Sequence, residues 1–462
     1  MAERILFLTG HLAHARLEKT LAGLGGADFD WAIVDIGVKV AALMTEAIIR
    51  RRLSRPVGAD RVVLPGRCRA DLGRLAAEFG VPFERGPEEL YDIPAYFGGR
   101  ARDLDLSRHD MRIFAEIVDA PTIGVDAILA RALRMREAGA DVIDLGCLPD
   151  TSFRHLEDAV RELTGAGLRV SVDSGDPDEL RRGAGAGASF VLSLNEATLD
   201  IASDTGATPI LVPVRHADVA SLLRAAEAAE RRGIAAILDP VLDPIHFGFM
   251  ASLSRYAEVR RQLPGAEILM GTGNLTELTD ADSGGVTAVL AGICSELTIR
   301  NLLIVQVSPH TRRTIQEHDA ARRIMFAARA DTSLPRNYGD ALLQLHDRSP
   351  FPSTPSDISE LAAAVADTGF RIETAEDGIH VYNREGHYVA ADAFALFPRL
   401  GVDHDGPHAF YLGAELMKAE IAWRLGKRYV QDEPLGWGCA TDATPEDLTR
   451  LRAAGHTLRR RR

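Results

Sequence analysis

Short runs of β-branched and aliphatic residues alternate along most of this chain with longer segments whose apolar positions recur at helical spacing. Such alternation predicts strands regularly followed by helices, and therefore parallel sheets with helical cover. In the first hundred residues the runs are RILFLTG (Arg4 to Gly10), DWAIVDIG (Asp30 to Gly37), RVVLPG (Arg61 to Gly66) and VPFERG (Val81 to Gly86). They predict a Rossmann-like α/β domain over 1–108, an open parallel sheet with helices on both faces. Glycine or proline closes each run, so loops at the strand tips could hold a small molecule, or simply turn tightly. No GxGxxG or GxxxxGK[ST] follows the first run, which removes the usual nucleotide cradles.

After the charged connector ARDLDLSRHD (101–110), eight further strand–helix repeats can be counted. Their strands are MRIFAEIV (Met111 to Val118), DVIDLGC (Asp141 to Cys147), LRVSVDS (Leu168 to Ser174) and SFVLSLN (Ser189 to Asn195). TPILVPV (Thr208 to Val214), IAAILDP (Ile234 to Pro240), AEILMGT (Ala266 to Thr272) and LLIVQVS (Leu302 to Ser308) follow. Eight such units are the count of a (β/α)8 TIM barrel, placed at 109–330. The run Gly183-Ala-Gly185-Ala-Gly187 is read as a helix end turning into the fourth barrel strand rather than a phosphate cradle.

A Pro/Ser/Asp-rich stretch at 333–356 predicts a linker or surface loop. Beyond it, 345–462 predicts a small C-terminal α/β domain. Its elements are a helix after Pro355, strands near Arg371 to Glu373 and at HVYN (His380 to Asn383), a long helix His408 to Gly426, and a strand at YVQD (Tyr429 to Asp432). In the long helix Phe410, Leu412, Leu416, Ile421, Trp423 and Leu425 fall on more than one face. That predicts packing between two surfaces, one its own small sheet and the other either the barrel or a second subunit, and of these a homodimer is expected.

Composition narrows the function classes. With 53 basic against 66 acidic residues and a net charge of −13, broad nucleic-acid binding is not expected. The one basic run, Arg459 to Arg462, reads as a solvated tail. Cys68, Cys147, Cys294 and Cys439 show no CxxC spacing, so reduced thiols are expected and no metal site is assigned. No apolar run approaches the ~18–20 residues of a membrane span, and MAERILFLTG reads as a strand rather than a signal peptide. The expectation is a cytoplasmic protein without membrane partners.

Barrel active sites form at the C-terminal ends of the strands. There the sequence offers Asp144, Asp173, Asn195, Asp239, Thr272 with Asn274, and Ser308 with His310. A single polar tip is usually a helix cap; six on eight strands suggest one shared pocket. Arg312, Arg313, Arg322 and Arg323 follow the eighth strand, where barrels commonly bind phosphate, although Arg322 and Arg323 read better as a solvated helix face.

These motifs carry a resemblance. EAGADVIDLG (Glu137 to Gly146), VSVDS (Val170 to Ser174), the Asn at the fourth strand tip and LDP (Leu238 to Pro240) resemble the pterin-binding family of dihydropteroate synthases and corrinoid-linked methyltetrahydrofolate methyltransferases. GTGNLTELTDADS (Gly271 to Ser283) and SPHTRRTIQEHDAARRIMF (Ser308 to Phe326) resemble more closely the archaeal-type, dihydropteroate-synthase-like family of tetrahydromethanopterin biosynthesis. LPGRCRADL (Leu64 to Leu72), RGPEEL (Arg85 to Leu90), the TG…VAALMT pair (Thr9-Gly10, Val40 to Thr45) and HAFYLGAELMKAEIAWRLGKRYVQD (His408 to Asp432) are similar to that family's flanking domains. The last is similar, more weakly, to a cobamide-carrying methyltransferase subunit.

The resemblance implies that Asp173, Asn195 and Asp239 hydrogen-bond a pterin edge, with Asn274 beside them and Asp144 in support. It implies a transferase joining hydroxymethyl-dihydropterin pyrophosphate, through a carbon–nitrogen or carbon–carbon bond, to an aminobenzene acceptor such as ribofuranosylaminobenzene phosphate. His310, Arg312 and Arg313 would neutralise the departing pyrophosphate, with Mg²⁺ as a candidate companion. Three departures stand against the synthases: EIVDAPTIG (Glu116 to Gly124) replaces their Asn-Val-Thr-Pro-Asp-Ser-Phe loop, Gly273-Asn274-Leu275 replaces Ser-Arg-Lys, and Ser308 to Arg312 replaces Arg-x-His. Two alternatives therefore stay open. One is methyl transfer to a corrinoid, with His404 and His408 as candidate axial ligands. The other is a pterin-binding subunit without turnover.

Overall fold

The computed structural model describes residues 2–24, 29–41, 44–87, 90–98, 104–148 and 151–442. Arg459 to Arg462, Ala42-Leu43 of VAALMT and Glu88-Glu89 of RGPEEL lie outside the described residues. The chain divides into two compact units: 1–108 with 327–338, and 109–326 with 339–462.

In the first unit β1 (Glu3–Thr9), β2 (Phe29–Asp35), β3 (Arg61–Leu64) and β4 (Phe83–Arg85) form a parallel sheet in the order β2-β1-β3-β4. The alternation along β1 explains the two covered faces. Leu6 and Leu8 pack with Ile49, Leu75 and Phe79, whereas Ile5 and Phe7 pack with Leu17, Leu21 and Ile93. The helix Leu72–Phe79 is capped by Asp71, whose side chain accepts from Arg74 N at 3.0 Å, and is ended by left-handed Gly80 (φ 73°).

In the second unit eight parallel strands close into a barrel. They are β5 (Arg112–Ile117), β6 (Val142–Gly146), β7 (Val170–Asp173), β8 (Phe190–Leu194), β9 (Thr208–Leu211), β10 (Ile237–Leu238), β11 (Glu267–Gly271) and β12 (Asn301–Ile304), with β12 paired to β5. Period-two alternation sorts their side chains into two cores. Phe114, Val142, Phe190, Leu192, Ile210, Ile237 and Leu269 fill the lumen. Ile113, Ile143, Leu145, Val170, Val172, Ile268, Met270 and Leu302 face the surrounding helices. One irregularity interrupts the scheme: Ser193 sits at φ 69° and the register with β9 shifts between Val191 and Leu194. As expected, the glycine run closes the helix Pro177–Gly185, and Gly187 (φ 117°) turns the chain toward β8.

Several expectations need correction. β10 is two residues long rather than a seven-residue run, and β12 stops at Ile304, so 305–308 belong to a loop. Arg322 is not solvated. It is 2 % exposed and bonds the Met111 carbonyl (2.7 Å), the Gly139 carbonyl (3.1 Å), Asp319 (2.7 Å) and Asp141. Its long polar side chain, on the helix Thr314–Ala330, ties the end of the barrel to its beginning.

The C-terminal region folds as an antiparallel sheet of β13 (Arg371–Ala375), β14 (Gly378–Asn383) and β15 (Gly386–Ala390) beneath the helix Gly406–Leu425. YVQD is not a strand: Tyr429 donates to Glu415 (2.7 Å) and the Gln431 side chain accepts from Ile372 N (2.9 Å). The long helix buries Leu412, Leu416, Ala419 and Ala422 on its sheet, while Phe410 stays 81 % exposed, so the helix is covered on one side within the chain. Arg313 joins this region to the barrel by donating to the Cys439 carbonyl (2.9 Å) and pairing with Asp442 (2.8 Å). All four cysteines are unpaired, and among the described residues no helix is long and apolar enough to cross a membrane.

Candidate active site

The lumen alternation builds the site. One step beyond the apolar layer, the residues two positions after Phe114, Val142 and Ile237 are Glu116, Asp144 and Asp239, and Asp173 ends β7 on the same inward side. Register places Glu116 opposite Asp144, Asp144 opposite Ser171, and Gly146 opposite Asp173. Four carboxyl groups from four strands thus meet at the mouth.

Their surroundings decide their protonation. Asp144 is fully buried; one oxygen accepts from the Ser171 hydroxyl, and Oδ2 has no hydrogen-bond partner among the described residues. Burial, then the charges of Asp173 and Glu116, push its carboxyl well above the usual range. Burial and then Asp173 push Glu116 up to about 7. Burial raises Asp173 too, against the Ser193 hydroxyl, which donates to its Oδ1 at 2.8 Å. Asp239 is pushed up to about 6 by burial first, although Val241 N and the Tyr256 hydroxyl both donate to its Oδ1 at 2.8 Å. With their proton affinities raised in this way, Asp144 and Glu116 favour their protonated forms more than exposed carboxyls do. The mouth can therefore present acceptors and donors together to a flat heterocycle.

Asn195 stands beside this group, half-buried, its Oδ1 accepting from Ala197 N (2.9 Å). Its acceptor being used locally, what it offers a ligand is its amide donors. Asn274 is exposed and donates to the Leu242 carbonyl (2.7 Å), bracing the loop after β10. Thr272 faces away from the mouth: it is buried against His318, Oγ1 to Nε2 3.0 Å. The expected convergence of six polar tips therefore narrows to Asp144, Asp173 and Asp239 with neighbouring Asn195, and gains Glu116. The position of Glu116 was legible in the sequence, because it has the parity of Phe114 in MRIFAEIV.

The loop after β12 differs from a ready phosphate site. Glu277 accepts from Val307 N (2.7 Å), Ser308 N (3.0 Å) and the Thr311 hydroxyl (2.6 Å). A carboxylate thus occupies the backbone amides that an anion would use. His310 is held to the Thr276 carbonyl (3.0 Å), Arg313 is committed to the tail, and Arg312 is exposed. The expected trio is therefore split between a loop brace, a tail clamp and one exposed guanidinium. His404 is exposed in the tail, and His408 lies 3.9 Å from Asp405. Among the described residues no group of three or more His, Cys, Asp or Glu side chains is placed to hold a metal ion.

Against known proteins, residues 3–88 match a family described as of unknown function, DUF6513. The chain is 26 % identical over 525 residues to the uncharacterized protein MJ0107 of Methanocaldococcus jannaschii, covering 93 % of this chain and 98 % of that one. Among solved structures, Yersinia pestis dihydropteroate synthase with a pterine-sulfa conjugate is 22 % identical over 50 % of this chain and 98 % of its own, at a TM-score of 0.39. The Thermus thermophilus synthase in complex with 6HMPPP is 23 % identical over 49 % and 96 %, at 0.37. The Xanthomonas albilineans synthase in complex with 7,8-dihydropteroate is 22 % identical over 50 % and 97 %, at 0.35.

Proposed function

We propose that the barrel mouth binds a reduced pterin and that the protein is a dihydropteroate-synthase-like transferase acting at the pterin's exocyclic methylene. The observation that carries this reading is the inward carboxyl layer of Glu116, Asp144, Asp173 and Asp239 with Asn195 alongside. A pterin edge presents an amino group and a ring N–H as adjacent donors, and a carboxylate accepts both. The carbonyl and ring nitrogens accept, and a protonated acid or the Asn195 amide donates to them.

In the reaction we favour, the amine nitrogen of an aminobenzene, such as ribofuranosylaminobenzene phosphate, forms a bond to the methylene carbon. The bond from that carbon to the pyrophosphate oxygen breaks, and its electron pair leaves with pyrophosphate. The nitrogen then loses a proton, and Glu116, with its affinity near neutrality, suits that transfer. Arg312 is the group for the leaving oxygens, and His310 joins it only by giving up the Thr276 carbonyl; no step is assigned to Mg²⁺.

Glu277 favours a second reading. With the amides of Val307 and Ser308 already bonded to its carboxylate, the mouth suits a pterin without a pyrophosphate arm. That substrate belongs to methyl transfer or to a binding subunit. Calorimetry with 6-hydroxymethyl-dihydropterin and its pyrophosphate, followed by a pyrophosphate-release assay with the aminobenzene, separates the two. Asp173→Asn should weaken pterin binding by about 1–3 kcal/mol. An absence of saturable binding by either pterin sinks both readings, and binding without pyrophosphate release leaves the second. We also propose a homodimer, with exposed Phe394 and Phe410 as apolar surface in the tail. Light scattering at tens of micromolar tests it, and a monomer there ends it.

A further inference from the structure

We propose that the front domain has a ligand site of its own, for a small phosphate ester, in the cleft over the carboxyl ends of β3 and β4. A cavity of about 470 Å³ opens there, lined by Gly66, Arg67, Cys68, Arg69 and Arg85. Its position follows the general rule for open parallel sheets, whose ligands sit beyond the carboxyl ends of the strands next to the point where strand order reverses. In the order β2-β1-β3-β4 that reversal lies between β1 and β3. The loop 65–70 leaves β3 beside it, and Arg85 is the last residue of β4, paired with Leu64.

The wall is a built one. Arg85 donates from Nε to the Cys68 carbonyl (2.7 Å) and from Nη2 to the Ala70 carbonyl (2.9 Å). Its guanidinium is therefore fixed in orientation by main-chain oxygens, with two of its five N–H donors spent. Gly66 N donates to the Pro87 carbonyl (3.2 Å), joining the two loops. Gly86 is what allows them to close, since a Cβ there would stand 2.9 Å from Val63 Cγ1. Arg69 is exposed at the rim.

Charge and shape define the ligand class. Arginines gathered on one cavity of a chain with net charge −13 run against the overall balance. Guanidinium forks match the tetrahedral oxygens of phosphate, which they can grip through paired N–H bonds. The volume suits a sugar phosphate or a compound of similar size. β1 is followed by no glycine-rich helix start, so a dinucleotide is not the ligand.

The test uses full-length protein, with ribose 5-phosphate, inorganic phosphate and ribose as probes in calorimetry or ligand-observed NMR. Saturable binding of ribose 5-phosphate is expected, and ribose alone should bind at least tenfold more weakly, on the order expected for losing a charged hydrogen-bond set. Arg69→Ala, a rim substitution, should weaken binding about tenfold, and Arg69→Lys should restore part of it. Asp173→Asn in the barrel should leave it unchanged, which separates this site from the pterin mouth. The proposal is overturned if no probe saturates at several millimolar, if ribose binds as well as its phosphate, or if Asp173→Asn rather than Arg69→Ala abolishes binding.

Discussion

Gly146 and Glu116 are packed together at the barrel mouth: a methyl group on the glycine would stand 2.5 Å from Glu116 Oε1 and 3.3 Å from Val118 Cα. The glycine is the space in which the first-strand carboxyl lies. Gly146→Ala should therefore displace Glu116 and weaken pterin binding about tenfold, with a stability loss of about 1–3 kcal/mol from overpacking. Calorimetry and urea denaturation read the two effects. If Glu116 is the displaced group, Gly146→Ala should add little to Glu116→Ala in a double-mutant cycle; full additivity contradicts the assignment.

Much of this arrangement is legible in the sequence, and what is not has physical causes. Asp144, Asp173 and Asp239 follow apolar strands with plain period-two alternation, so their inward direction is a matter of parity. Glu116 has the parity of Phe114 in the same strand, so its inward direction follows in the same way. Thr272 ends an apolar strand run and so reads as a mouth residue, yet the chain enters the helix Gly273–Thr276 directly and turns its hydroxyl onto His318. Arg322 reads as solvated from the sequence because helical spacing reports which face a residue occupies and not what another segment brings to that face. Asp141 and the Met111 and Gly139 carbonyls arrive from the far end of the barrel sequence. YVQD has strand composition, but its polar side chains spend their hydrogen bonds on the helix and on β13 instead of on a ladder.

The raised acids make stability depend on pH with a definite sign. Glu116 moves from 4.5 to about 7 and Asp239 from 3.8 to about 6 on folding, so the folded state binds these protons more tightly than the unfolded chain. Their contribution is present in acid and is lost as pH rises through roughly 4 to 7. Glu116→Gln removes one such term. Relative to the parent protein the variant should gain on the order of 2 kcal/mol between about pH 5 and pH 8. Burial lowers the buried His318 to about 4, giving the opposite slope, but that is common to both proteins and cancels in the difference. Parallel denaturation curves at the two pH values would contradict the raised Glu116.

Ligand binding should move protons. Pterin N–H donors stabilise the charged carboxylates they touch, so binding between about pH 6 and pH 8 should release close to one proton. Calorimetric enthalpies measured in buffers of different ionisation heat give that number directly. No buffer dependence would mean that the donor edge does not meet these acids.

Arg322 is the barrel's polar fastening. Arg322→Ala leaves Asp141 and Asp319 without their buried cation and should cost about 3–5 kcal/mol. Arg322→Met, which restores the volume but not the charge, should remain strongly destabilised. Thermal melting unchanged by either substitution would show that the network carries no net stability.

β10 contributes two residues to the wall and pairs with each neighbour at only two register positions, whereas β5 and β6 pair at four. The barrel therefore has a seam, and Asp239 stands at its upper end, one residue past the strand. Amides flanking Ile237 and Leu238 should exchange with solvent by local opening long before those of β6. A molecule gripped at once by Asp173 on one stave and Asp239 on another would act as a hoop around that seam. Occupancy of the mouth would then be felt as tightening of the whole cylinder, well beyond the atoms it touches.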